Sequence, residues 1–113
     1  MTLTSSNDVP TTSIQAGKPR FFIFFSSGNP PWCPDCVDAQ PAVEKVFGGS
    51  AVDGHIVLVG ERPEWKTPEN KFRQEYAIKC IPTITKVVDG KEVARLEDSE
   101  CKDAGTVSAF VKA

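Results

Sequence analysis

A mixed α/β sheet covered by helices on both faces is the fold class this sequence predicts, and three observations predict it. Two short, continuously apolar runs, "RFFIFF" (20–25) and "HIVLVG" (55–60), read as strands buried on both faces. A stretch of helical spacing separates them, which makes a strand–helix–strand unit with parallel pairing and a right-handed crossover. A hairpin signal, Asp89-Gly90 between two alternating segments, then adds an antiparallel edge.

The elements follow in order. Residues 1–19 are polar and weakly patterned, with a short strand near Thr2–Thr4 and a helical turn or two after Asp8 as the expected structure. After the first apolar run, "SSGNPP" (26–31) ends the strand, because Gly and consecutive prolines cannot continue it. Ala39, Val43, Val46 and Phe47 recur at helical spacing, so a helix is expected from about Cys33 to Phe47. Gly48-Gly49 closes it, and Pro41 kinks it by removing one backbone donor. "TPENKFRQEYAIK" (67–79) begins with Thr67 as N-cap and Pro68 as first helical residue, with Phe72 and Tyr76 on one face. "TITKVV" and "KEVARL" are the hairpin strands. A last helix runs from roughly Lys102 to Lys112, with Val107, Phe110 and Val111 as its apolar stripe. The whole chain, 1–113, is expected to be a single domain, since a length of 113 residues suits one core.

Bulk properties narrow the function classes. The chain is 40% hydrophobic and 25% charged with a formal charge of -2, so it lacks the clustered basic surface expected of a nucleic-acid binder. Its longest continuous apolar run, Phe21–Phe25, is far too short to span a bilayer. The N-terminus shows no basic segment followed by an apolar core, so the expectation is a monomeric cytoplasmic protein without a membrane partner. In a reducing compartment four cysteines are more consistent with catalysis, metal binding or inert packing than with a stapled framework.

The motif "PPWCPDC" (30–36) carries the chemistry. A structural zinc site needs four ligands, yet Cys80, Cys101 and the single His55 lie in three different elements and no second Cys-x-x-Cys knuckle exists, so no metal is expected. Redox cycling fits the placement better. Helix geometry brings Cys33 and Cys36 onto one face about 5–6 Å apart, within disulfide reach. At a helix N-terminus the unpaired N–H groups and the positive dipole end favour the Cys33 thiolate, lowering such pKa values to roughly 7 or below. Cys36 lies one turn inside and suits the resolving role. A Cys-x-x-Cys opening a helix after a buried strand, inside a β-α-β unit, is a thioredoxin-like signature.

Other motifs extend this resemblance to a family. Trp32-Cys33-x-x-Cys36 is similar to the thioredoxin active-site motif, Pro41 to the helix-kink proline, and "YAIKCIPT" (76–83) to the segment with the cis-proline. More narrowly, "WCPDC", "VGERPEWKTPENKFR" and "DSEC" together resemble the thioredoxin domain-containing protein 17 family, over about residues 15–113. The resemblance implies a thioredoxin-like fold and a cytosolic disulfide reductase that is recharged by thioredoxin reductase and NADPH. Its targets would be disulfide-containing proteins, peptides or cystine, a narrower set than that of thioredoxin. A redox-active Cys33–Cys36 disulfide would serve in place of any bound cofactor. Cys33 would be the attacking nucleophile, Cys36 the resolving cysteine and Pro82 the cis-proline, with Ile81–Pro82 facing the pair. From another class, a thioredoxin-fold adaptor with little redox turnover is the alternative.

Further residues complete the expected site. Many thioredoxins carry a buried Asp in the strand before the motif. "FFIFF" has nothing ionisable, which leaves Asp35 as candidate proton acceptor, directly or through water, with helix-start charge as its other reading. Trp32 and Pro34 offer substrate contacts, and Trp65 stands in a loop at the strand end where ligand sites of open α/β sheets gather. Glu97, Asp98 and Glu100 are expected to bring negative charge near the groove and to exclude acidic partners. Cys80, two residues before Pro82, is a possible regulatory thiol. Cys101 reads as a small buried apolar residue and His55 as structural.

Overall fold

The structure is a computed structural model that describes residues 3–9, 19–28, 31–48 and 54–112. In chain order the elements are β1 (Leu3–Ser6), β2 (Arg20–Phe25), α1 (Pro34–Gly48), β3 (Gly54–Leu58), α2 (Arg62–Lys66) and α3 (Lys71–Glu75). They continue with β4 (Thr83–Val88), β5 (Lys91–Glu97), a 3-10 turn (Asp98–Lys102) and α4 (Ala104–Lys112). The strands form one mixed sheet in the order β1-β3-β2-β4-β5. β3 pairs parallel to both β1 and β2, whereas β4 pairs antiparallel to β2 and to β5.

β2 lies at the centre of this sheet, and its alternation explains why helices cover both faces. Phe21 packs tilted against Phe47 of α1 and edge-on against Phe110 of α4, at ring separations of 5.7 and 5.8 Å. Phe24, on the opposite face by the period-2 rule, meets Phe72 of α3 at 5.9 Å and the adjoining Tyr76 at 6.2 Å. A strand buried on both faces must be apolar throughout, which is why Phe21–Phe25 has no polar member. Burying each such side chain contributes about 1.5–3 kcal/mol, so the loop leaving β2 starts from a firm anchor.

Three expectations need correction. The helix expected over 67–79 is reduced to α3, and a separate short helix, α2, precedes it. A reciprocal Glu61–Glu64 capping box starts α2 ahead of Thr67, which ends it in extended conformation. Asn70, not Thr67, then caps α3 by accepting the Phe72 N–H at 3.0 Å. The last helix starts at Ala104 rather than about Lys102, because the chain up to Lys102 forms a 3-10 turn and the Asp103 carboxylate then accepts the Thr106 N–H at 3.0 Å to start α4. The first strand covers Leu3–Ser6, a little beyond the expected Thr2–Thr4, and most of the turn expected after Asp8 lies outside the described residues. His55 fastens β1 to β3, with Thr4 Oγ1 2.6 Å from its Nδ1 and Ser6 Oγ 2.7 Å from its Nε2. Pro41 lies within α1, which continues past it to Gly48.

Candidate active site

The segment after β2 builds the site from two consecutive serines. Ser26 is fully buried; its Oγ accepts the Cys33 N–H at 3.1 Å, and its own N–H donates to the Cys36 sulfur at 3.4 Å. Ser27 turns the other way, its Oγ accepting the Gly60 N–H at 2.9 Å while its N–H donates to the Gly60 carbonyl at 3.1 Å. The first serine thus holds the cysteines, and the second ties their loop to the loop after β3. Cys33 caps α1, since its carbonyl accepts the N–H groups of Cys36 and Val37 at 3.0 and 3.1 Å. Its side chain stands at the positive end of a 15-residue helix.

The two thiols sit in unequal surroundings. Cys33 retains 7% exposure and lines an open groove, whereas Cys36 has none. Burial pushes the Cys36 thiol up to about 12, the Ser26 backbone N–H opposes this, and the neighbouring Cys33 sulfur reinforces it. The Ser26 hydroxyl also favours the Cys36 thiolate. The Cys33 sulfur lies 3.9 Å from the carbonyl oxygen of Ile81, and the Ile81–Pro82 peptide bond is cis. Pro82 is buried, its carbonyl accepting the Asp98 N–H at 2.8 Å.

The groove holds about 720 Å³, and Pro34, Cys80 and Ile81 line it beside Cys33. Trp32 forms one wall, its indole N–H donating to the Gly60 carbonyl at 2.9 Å, with the Arg62 guanidinium 4.8 Å above its ring. Trp65 is 5% exposed and also lines the groove, with Arg73 stacked 3.9 Å from its ring centre and bonded through Nε to its carbonyl. Gly60 ties Trp32 to the loop after β3. Its φ of +113° lies in the left-handed region, and a Cβ there would meet Glu64 Cβ at 2.9 Å.

Other expected residues are placed differently. The Asp35 carboxylate accepts from Lys102 Nζ at 2.8 Å, tying the start of α1 to the 3-10 turn. The groups acting most strongly on the Cys36 thiol are Ser26 and Cys33, and Asp35 is not among them. Glu97, Asp98 and Glu100 do not line the groove, but Glu97 and Asp98 bring negative charge near it, acting on the Cys80 thiol that does. Glu97 pairs with Arg95 at 3.3 Å, and Glu100 accepts the Glu97 N–H in the capping box of the 3-10 turn. Cys80 is half-buried with its thiol pushed up by burial, while Cys101 is wholly buried and raised to about 12 by the same cause. Ser26 and Gly60 were missed at the sequence level. A polar residue ending an otherwise apolar buried strand was the available signal for Ser26; Gly60 gave only a strand-end glycine. Among the described residues no group of three or more His, Cys, Asp or Glu side chains could hold a metal ion.

A five-stranded sheet of this order, with a Cys-x-x-Cys at the head of a helix and a cis-proline beside it, defines the class as thioredoxin-fold. Solved thioredoxins share it. That of Malassezia sympodialis superposes with a TM-score of 0.71 over 98% of this chain and 89% of its own, at 17% identity. Spinach chloroplast thioredoxin f gives 0.67 over 97% and 90%, at 16% identity. The model of the thioredoxin domain of thioredoxin domain-containing protein 17-like proteins matches residues 5–113, and the chain belongs to that family. Human thioredoxin domain-containing protein 17 is 36% identical over 80% of this chain and 76% of its own. A thioredoxin domain-containing protein of Schizosaccharomyces pombe is 30% identical over 96% and 95%. Family membership supports a thioredoxin-type redox function, that of a thiol–disulfide oxidoreductase.

Proposed function

We propose that this protein is a cytoplasmic, monomeric disulfide reductase that works through a mixed disulfide at Cys33. The observation that carries the reading is the unequal dithiol. One sulfur faces a groove at a helix N-terminus, and its partner is enclosed and held protonated. Cys33 thiolate attacks one sulfur of the substrate disulfide, forming a Cys33–substrate disulfide and expelling the other substrate sulfur as thiolate. Once Cys33 is so bonded, its contribution to raising the Cys36 thiol is gone, and the Ser26 N–H and hydroxyl remain to favour the Cys36 thiolate. Cys36 passes its proton to the substrate thiolate expelled in the first step and attacks the Cys33 sulfur, breaking the Cys33–substrate bond and giving the Cys33–Cys36 disulfide and a second substrate thiolate. The substrate gains two electrons, the protein loses two, and no bound cofactor takes part. Asp35, already engaged by Lys102, contributes charge at the start of α1 rather than contact with the resolving sulfur.

Thioredoxin reductase with NADPH returns the protein to the dithiol. Trp32, Pro34, Trp65 and the Ile81–Pro82 segment contact the substrate chain, and the cation-lined wall narrows the target set relative to thioredoxin. The test is NADPH oxidation by thioredoxin reductase, this protein and a disulfide peptide. Turnover should depend on the protein and vanish in Cys33→Ser; a rate equal to that of Cys33→Ser would leave only a binding role.

A further inference from the structure

The groove beside Cys33 differs in charge from the rest of the molecule. The chain carries a formal charge of -2, yet Arg62, Lys66, Arg73 and Lys79 all line this groove. Among the described residues no Asp or Glu lines it, and no ion pair engages any of these four cations. The acids that α2 brings to the neighbourhood are already used: Glu61 and Glu64 cap that helix reciprocally, with Glu64 accepting the Glu61 N–H at 2.9 Å. Two of the cations are also held in place, Arg62 over Trp32 and Arg73 over Trp65. A guanidinium fixed on an aromatic face loses less freedom on binding and keeps its forked donors for a planar carboxylate.

We propose that this groove selects disulfides carried in acidic segments, peptides with carboxylates flanking the cystine on the side that meets α2. The inference rests on the reductase reading above and names its substrate class. It sets the four lining cations against Glu97 and Asp98, whose charge reaches the groove at Cys80 from outside its lining. Cations converging on the nucleophile raise the encounter rate of acidic chains and discourage basic ones, and salt screens both effects. A carboxylate bound there also places the scissile disulfide within reach of the Cys33 sulfur, which lines the same groove.

The test uses pre-reduced protein in single turnover, so that recharging plays no part, with three peptide disulfides whose flanking residues are Glu, Ser or Lys. At low salt the Glu peptide should be reduced about tenfold faster than the Ser peptide and faster still than the Lys peptide, with the ratios collapsing in high salt. In the triple variant Arg62→Gln, Lys66→Gln, Lys79→Gln the Glu-to-Lys ratio should fall toward unity. Equal rates for the three peptides in the unmodified protein at low salt would overturn the selection. Reduction of none of them would instead overturn the reductase reading, so the two failures are distinguishable.

Discussion

The backbone N–H of Ser26 donates to the Cys36 sulfur at 3.4 Å, with neither residue exposed to solvent. A carboxylate in that environment would compete with the thiolate for stabilisation, whereas a serine supplies a donor and no charge. The resolving cysteine of this chain is therefore adjusted by hydrogen bonds from the end of a strand.

Replacing Ser26 with Ala should slow the second step. The hydroxyl favours the Cys36 thiolate and accepts the Cys33 N–H, so its loss raises an already high pKa and leaves a buried donor unpaired. One further pKa unit corresponds to about 1.4 kcal/mol, or about a tenfold slower attack if ionisation limits the step. The unpaired N–H adds about 1–3 kcal/mol of destabilisation. Stopped-flow decay of the mixed disulfide across pH should show a midpoint moved to higher pH in Ser26→Ala and restored in Ser26→Thr. Asp35→Asn should leave that midpoint in place, since it removes only a solvent-screened ion pair to Lys102.

Gly60→Ala should damage the groove without touching a sulfur. The left-handed φ and the 2.9 Å clash with Glu64 Cβ force the loop to move, at a cost of about 1–3 kcal/mol. That loop supplies the carbonyl that holds the Trp32 indole and the N–H that meets Ser27. A lower melting temperature, altered tryptophan fluorescence and a raised KM are the expected readouts, with Cys33 alkylation still occurring.

Alkaline stability should report the buried thiols. Folding raises both Cys36 and Cys101 from the ordinary 9.0 to about 12, so between these values the unfolded chain has lost protons that the folded one retains. Stability is then unaffected below about pH 9 and falls as pH rises toward 12, at up to about 1.4 kcal/mol per pH unit for each thiol. Urea titrations at stepped pH should show a shallower fall in Cys101→Ala than in the parent, whatever the substitution costs at neutral pH.

Much of the fold was legible because Phe21–Phe25 of β2 and Ile56–Leu58 of β3 are apolar at every position, inward and outward, a pattern that a doubly covered sheet explains. The hairpin followed from Asp89-Gly90, whose positive φ values, 53° and 82°, are those its turn demands. The helix starts were harder, because capping is decided by which side chain reaches a backbone donor. Thr67 and Asn70 are both eligible by type and Glu61 is not, yet geometry chose Glu61 and Asn70. The cysteine pair was legible from spacing. Its electrostatic surroundings were not, since Ser26, Lys102 and the four groove cations are brought there by tertiary contacts across 7 to 67 positions of chain.

The central claim, an outward nucleophile and an enclosed resolving thiol, is tested most directly by intact mass of a Cys36→Ser variant mixed with a disulfide peptide. The account predicts one stable adduct of one peptide half, mapped by digestion to Cys33, with the corresponding Cys33→Ser variant unmodified at Cys36. A Cys33→Ser variant that forms the adduct at Cys36 as fast, or a Cys36→Ser variant that forms none, would contradict it.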